Sequence, residues 1–299
     1  MTTANDWVEQ VREMLGGGLV ETVNQLAVDY IPGDLEVQFA RDMTGIAPNV
    51  PICVGLNTFM VWSINTPVKT AEITSNWGSS PSVVAESGSL VRVKPAYFTH
   101  RIFNAINDTL TELSSPLNGI YGVDQVDIQY DQSIAMYDLT AAEDLARILR
   151  VQWGFTSDDL ETWPTLYGRD WQLRHEGASA EFPSGKVLRI NTDMIEAGAV
   201  LRVTYMRNLV QVSTLTDDVS MTYLPETAYD LPVLGAASRL SIPGEWRRNV
   251  PNPQGDSRRA DEVPAGGVLG GARALRALYQ ERVEQEAARL VGLYPYRQN

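Results

Sequence analysis

Two stretches near the C-terminal end of the chain carry apolar residues at helical spacing. The first begins at Asp230, a good N-cap, with Pro232 in its first turn, and is predicted to end at Pro243-Gly244. The second begins near Arg273 and carries one apolar stripe spaced by three and four residues: Leu275, Tyr279, Val283, Ala287, Leu290 and Tyr294. This spacing predicts two helices.

The first third of the chain predicts a short helix followed by β-structure. Trp7, Val11 and Leu15 lie four residues apart, which is typical of an amphipathic helix. Short runs rich in β-branched residues follow at 35–39, 51–54, 58–64, 68–73 and 89–93. They predict a small β-barrel or sandwich module. Trp62 is expected in its core and Trp77 at its rim. Residues 1–93 are therefore expected to form an N-terminal domain.

A central helix and more strands are predicted next. Pro95 is expected to open a helix whose buried face is Phe98, Ile102, Ile106, Leu110 and Leu113. Apolar residues then alternate with polar ones at 126–130, 135–139, 145–151, 171–175, 187–190 and 199–205. These segments predict an antiparallel β-sandwich with short connections. The predicted fold class is therefore α+β, with residues 94–299 forming a second domain that includes both C-terminal helices.

The long segment from Asn249 to Gly267 separates the two C-terminal helices. It holds three prolines, three glycines and almost no large apolar side chain, so it can bury little apolar surface to offset the entropy lost on ordering. It is either a passive linker or a segment that orders on a partner surface. Arg247, Arg248, Arg258 and Arg259 give this region a local basic character. The terminal helix itself is expected to have a solvated outer face on which arginines alternate with glutamates: Arg273, Arg276, Glu281, Arg282, Glu284, Glu286 and Arg289.

Composition narrows the possible functions. The 299-residue chain has a net charge of −13, which argues against phosphate binding as its main role. Its one cysteine, Cys53, excludes an internal disulfide framework and is expected to be a small buried side chain of a strand. No basic segment followed by an apolar run opens the chain, and no stretch approaches about 18 apolar residues. A soluble intracellular product is expected.

No catalytic or metal-binding constellation is evident. His100, His175 and Cys53 are too few for a zinc site, and nothing places either histidine near a candidate serine. Gly266 to Arg273 lacks the Lys-Ser or Lys-Thr of a phosphate-binding loop. Acidic pairs such as Asp158-Asp159 fall in turn-like segments, where solvated charges are the simpler interpretation. The chain is therefore expected to be a structural or interaction protein without metal or cofactor.

The order of elements and several short segments resemble a known family. The segments are Ala105 to Leu113, Met136 to Leu139, Leu201 to Tyr205, Tyr223 to Glu226, Leu234 to Leu240 and Tyr279 to Val283. Together, over roughly Val93 to Leu293, they resemble the head-to-tail adaptor proteins of tailed bacteriophages. The front segment, with Ile52 to Gly55 and Gly88 to Val91, also resembles a small β domain that precedes such connector proteins.

The resemblance implies a structural virion protein without enzymatic activity. It implies a homo-oligomeric ring, a dodecamer, at the neck between capsid and tail, with the portal protein and a tail or stopper protein as partners. Genome DNA would pass through the ring without sequence-specific recognition, and assembly would occur in the host cytoplasm. The residues expected at partner interfaces are Arg247, Arg248, Arg258, Arg259, Leu275, Leu278, Tyr279, Arg282, Val283, Leu290 and Tyr294.

Two other functions are compatible with the same sequence. The first is a carbohydrate-binding or depolymerising virion protein, because β-sandwiches often hold sugar sites lined by aromatic and acidic residues. Trp153, Trp163 and Trp171 with Asp158 and Asp159 are the candidates for such a site. The second is a stopper or tail-tube protein of the same particle, which would differ mainly in its partners.

Overall fold

The computed structural model describes residues 2–16, 21–74, 80–115, 117–142, 144–155, 163–176, 178–249 and 267–294, and for 242–249 and 267–269 it describes the backbone alone. The described chain is a mixed α+β protein with antiparallel sheets and four α-helices, which confirms the predicted fold class. The helices are α1 (Ala4–Gly16), α2 (Thr99–Leu113), α3 (Leu231–Asn249) and α4 (Gly267–Leu293).

The chain forms two compact units, each assembled from several segments. The first comprises Met1–Thr111, Gln211–Val219 and Tyr229–Arg282, and the second comprises Glu112–Val210, Ser220–Ala228 and Val283–Asn299. Helices α2 and α4 each contribute residues to both units. No single boundary along the chain therefore separates the two units.

One antiparallel sheet of six strands dominates the first unit. Its strands are β1 (Thr22–Gln25), β2 (Glu36–Gln38), β3 (Pro51–Val54), β4 (Asn57–Asn65), β5 (Thr70–Thr74) and β6 (Leu90–Val93), in the order β1-β6-β3-β4-β5-β2. The five predicted runs are confirmed as strands, whereas β1 was not predicted because Val23 is the one apolar residue among its four. Beyond the ends of the two edge strands, Leu26 forms an isolated antiparallel bridge with Phe39.

Apolar residues at alternate positions of these strands form a hydrophobic core on one face of the sheet. Phe59, Val61, Ala71 and Ile52 are among its fully buried members. Trp62 does not join them, because it is 68 % exposed. The pairing of β4 with β5 shifts between Val61 and Ser63, so Trp62 is the extra residue of a β-bulge. The prediction that Trp62 lies in the core is wrong, because Trp62 follows the buried Val61 and therefore lies on the opposite face of β4. Trp77 lies outside the described residues.

Helices α1 and α2 bury the faces that their periodicity indicates. Trp7 and Val11 of α1 are buried, and α1 packs against α3. Helix α2 buries Ile102, Ile106 and Leu110 as predicted. It begins at Thr99 rather than at Pro95, because the first helical hydrogen bonds are accepted by the Phe98 carbonyl.

Helix α3 does not end where proline and glycine predict. It continues through Pro243 and Gly244 to Asn249. A proline removes one backbone donor and crowds the preceding turn, which disfavours a helix without forbidding it. The turns before Pro243 are held by packing, since Leu231, Leu234 and Ala237 are all buried. Tertiary burial outweighs the local breaker here.

Two antiparallel sheets of three strands form the second unit. They are ordered β7-β12-β9 and β10-β11-β8. The strands are β7 (Gly122–Gln129), β8 (Met136–Asp138), β9 (Leu145–Gly154), β10 (Trp171–His175), β11 (Lys186–Ile190) and β12 (Val200–Arg207). Each of the predicted runs is confirmed as a strand. Side chains of both sheets share one hydrophobic cluster, including Val151 and Leu201 from one and Tyr137 and Leu188 from the other.

Candidate interaction surfaces of the helices and sheets

The C-terminal half of α4 is fixed inside the chain by a narrow buried stripe. Tyr279, Val283, Glu286 and Leu290 are buried at spacings of four, three and four residues. The apolar stripe that the sequence predicts thus packs within a single copy of the protein. Tyr279, Val283 and Leu290, expected at partner interfaces, are therefore covered by the chain's own residues and set the position of the helix.

In the first unit, α3 and α2 approach closely beside the ring of Tyr279. A Cβ atom built on Gly235 would lie 2.3 Å from Cγ2 of Thr109 and 3.1 Å from Cε2 of Tyr279. Thr109 itself is fixed, because its hydroxyl donates a 2.7 Å hydrogen bond to the Ala105 carbonyl of the preceding turn. Only a residue without a side chain fits at position 235.

Arg282 connects α4 to the first turn of α3. Its Nε and Nη2 atoms donate hydrogen bonds of 2.8 Å and 3.0 Å to the two carboxylate oxygens of Asp230. This bidentate pairing fixes both the distance and the orientation between the guanidinium and the carboxylate. Arg282, predicted as an interface residue and as part of a solvated helix face, instead binds within the first unit.

Glu286 also departs from the predicted solvated face, because it is only 2 % exposed. Its carboxylate accepts a 2.8 Å hydrogen bond from the Thr227 hydroxyl and further bonds from the Arg289 guanidinium. These hydrogen bonds raise the pKa of Arg289 above its ordinary value. A buried carboxylate needs such partners, since an uncompensated charge in the interior is strongly unfavourable.

The N-terminal half of α4 has a different environment. Arg273, Arg276 and Leu278 are exposed, Leu275 is half-buried, and Leu278 has 45 % of its surface accessible. Neither Arg273 nor Arg276 pairs with a carboxylate in the part of the chain that the structure describes. Residues 270–278, about two and a half turns of the helix, thus have little packing of their own.

The remaining predicted interface residues are only partly described. Arg247 and Arg248 lie in the last turn of α3, for which the backbone alone is described. Arg258, Arg259 and most of the segment from Asn249 to Gly267 lie outside the described residues. Tyr294 is half-buried, with the Arg150 guanidinium 6.0 Å from the centre of its ring.

Cys53, Thr58 and His100 form a buried polar row in the first unit. The Cys53 sulfur lies 3.4 Å from Oγ1 of Thr58, which lies 3.0 Å from Nδ1 of His100. Burial raises the pKa of the Cys53 thiol, which disfavours the nucleophilic thiolate. This row therefore holds β3, β4 and α2 together rather than presenting a reactive group.

No three His, Cys, Asp or Glu side chains within the described ranges gather as metal ligands would. None of the helices in those ranges combines the length and apolarity needed to cross a membrane.

The tryptophans considered for a sugar site do not share one surface. Trp153 and Trp171 pack against the hydrophobic cluster of the second unit. Trp163 is only 5 % exposed and lies 5.0 Å from the guanidinium of Arg202. An open depression of about 410 Å³ lies beside Trp171, lined also by Gly168, Arg169, Gln172, Leu173 and Asn191. Asp158 and Asp159 lie outside the described residues.

The outer face of β2, β5 and β4 carries a feature that the sequence does not reveal. Glu36 and Glu72 are register partners on neighbouring strands, and both are exposed. Oε2 of Glu72 accepts a 2.6 Å hydrogen bond from Ser63, which follows Trp62. Two carboxylates and an exposed indole are therefore placed along one face. No local pattern indicates this group, because the two glutamates lie 36 residues apart in the sequence.

No protein-family model matches this chain, and none of the curated proteins is significantly similar to it.

Proposed function

We propose that this protein is a head-to-tail adaptor of a tailed bacteriophage, a structural virion protein that forms a ring between the portal and the tail. The observation that carries the proposal is the exposed N-terminal half of α4. Short helical segments are marginal in water without tertiary packing, so these turns are expected to be covered by a partner in the functional state. A ring of identical subunits supplies that partner at every copy.

The partners follow from the same proposal. They are further copies of this chain in a dodecameric ring, the portal protein and a tail or stopper protein. The genome would pass through the ring without sequence-specific recognition. The protein would be located in the neck of the virion after assembly in the host cytoplasm, and it would carry out no catalysis and need no cofactor.

The proposal extends to two finer features of the fold. The six-stranded sheet would close into a small barrel, supported by the Leu26–Phe39 bridge and by the 2.9 Å hydrogen bond from the Ala27 amide to the Gln38 carbonyl. The two sheets of the second unit would form a β-sandwich, supported by their shared hydrophobic cluster. Both features match the modules expected of such a connector.

The direct test is genetic and structural. A phage that lacks this chain should accumulate heads and tails that do not join, and adding the purified protein should restore joined particles. A chain truncated after Gly271 should be unable to restore them. Virions that lack the protein, or heads and tails that join normally without it, would overturn the proposal.

A carbohydrate-binding role is the second candidate, favoured by the depression beside Trp171. An aromatic side chain at an open, polar depression is a common element of sugar sites. Arg169, whose guanidinium lies 5.9 Å from the centre of the exposed Tyr167 ring, borders the same region. Binding on an oligosaccharide array that is lost in Trp171→Ala would support this function over the adaptor.

A further inference from the structure

The acidic outer face of the N-terminal sheet lacks compensating charge. Glu36 and Glu72 oppose each other directly across neighbouring antiparallel strands, and like charges in that position destabilise a sheet. Glu72 accepts a hydrogen bond from a neutral hydroxyl, and no cation pairs with either carboxylate within the described residues. The arrangement gains stability when a cation is brought to it.

Trp62 indicates what kind of cation suits this face. Trp62 follows the buried Val61 on β4, so its indole lies on the outer face, where 68 % of its surface is exposed. Arginine combines the two properties that this surface can use, because its guanidinium pairs with carboxylates and stacks on tryptophan. Tryptophan and arginine are also the residues most enriched at the energetic centres of protein interfaces. The chemistry therefore favours an arginine-bearing partner.

The chain itself carries two arginines whose charge and spacing match those of Glu36 and Glu72. Arg273 and Arg276 lie three residues apart on the exposed part of α4, which corresponds to a rise of about 4.5 Å along the helix. Directly opposed residues such as Glu36 and Glu72 have Cα atoms about 4.5–5.5 Å apart. Two arginines on one helix can thus meet two glutamates on neighbouring strands.

We propose that the N-terminal half of α4 docks on the outer face of β2, β5 and β4 of a second copy, with Arg273 and Arg276 pairing with Glu36 and Glu72 beside Trp62. This contact joins two different surfaces, so each copy has one of each to offer. Such head-to-tail contacts generate closed rings or open helical arrays. The inference rests on the proposed ring function and names the contact that would build the ring.

A charge exchange tests this contact directly. The full chain, Glu36→Lys/Glu72→Lys, Arg273→Glu/Arg276→Glu and the combined fourfold variant would be compared by sedimentation velocity at low salt. Each double variant should weaken self-association by about tenfold or more, since close interfacial charge pairs contribute that much or more. The fourfold variant should recover most of the affinity, because both halves of the contact are reversed together.

Two further measurements keep the test specific. Glu13→Lys/Glu86→Lys makes the same change in net charge at exposed positions of the first unit and should leave association unchanged. Trp62→Ala should weaken association while both charge pairs remain. Wild-type protein that stays monomeric at high concentration, a fourfold variant that is not restored, or a control that weakens association equally would overturn the contact.

The outcome is separable from the proposed function. Protein found at the neck of virions, whose association is not restored by the charge exchange, would retain the adaptor role and reject this contact. Restored association in a protein that is missing from virions would establish the contact and reject the adaptor role.

Discussion

Gly235 of α3 lies against Thr109 of α2 with no room for even one additional carbon atom. A Cβ at position 235 would lie 2.3 Å from Cγ2 of Thr109, closer than any van der Waals contact allows. Since Thr109 is buried and its hydroxyl is bonded to Ala105, it cannot move aside cheaply. Close helix packing, rather than backbone flexibility, is the reason for glycine here.

Gly235→Ala is therefore expected to destabilise the protein by about 1–3 kcal/mol through overpacking. Gly270→Ala is the matched control, because it also lies in a helix but its Cβ would meet nothing within 4 Å. That change should be neutral or stabilising by up to about 1 kcal/mol, as alanine favours helices. Urea unfolding of both variants measures the difference, and equal effects would contradict the packing argument.

Glu286→Ala should cost about 1–3 kcal/mol of stability, because it removes the buried acceptor of the Thr227 and Arg289 hydrogen bonds. Glu284 lies two residues away, on the exposed side of the same helix, and Glu284→Ala should change stability by less than about 0.5 kcal/mol. Thermal unfolding of the two variants gives the comparison. A loss at Glu284 as large as that at Glu286 would show that the buried network does not control the effect.

His100→Ala is expected to destabilise the protein by about 1–3 kcal/mol, since it leaves a cavity and removes one of the two partners of the buried Thr58 hydroxyl. His175→Ala, at an exposed position of β10, should have little effect on stability.

In the native protein Cys53 should react slowly with a thiol reagent, because it is buried and its pKa is raised. Fast reaction of Cys53 in the folded wild type would argue against the structural role of this row.

Asp217 is expected to make stability depend on pH. Burial acts to raise the pKa of its carboxyl, but hydrogen bonds from Thr214 and the Ser213 amide outweigh burial and lower it. A lowered pKa in the folded state stabilises the protein above the ordinary value near 3.8, and this contribution is lost as pH falls through the folded-state pKa.

The expected result is that Asp217→Asn lowers the melting temperature at pH 7 and that the difference from wild type shrinks below about pH 4. Thermal unfolding across this range measures it. A difference that stays constant, or grows toward acid, would show that the charge of Asp217 does not carry the stabilisation.

Local patterns in the sequence determined most of the elements. The alternation of Val126 and Ile128 with polar neighbours is sufficient to predict β7, and the spacing of Ile102, Ile106 and Leu110 is sufficient to predict α2. Both depend on one physical fact, that side chains repeat on one face every two residues in a strand and about every 3.6 in a helix. The α+β class follows from these periods alone.

Tertiary structure alone decided what those elements contact. The pairing of Thr22 with Val93 and of Glu36 with Glu72 joins positions far apart in the chain. The local period of apolar residues does not predict such pairs. The continuation of α3 through Pro243 reflects packing of the preceding turns, and the alignment of Ser63 with Glu72 depends on a bulge in the pairing of β4 with β5. Periodicity records which face of an element is apolar, whereas long-range pairing determines which residues meet on it.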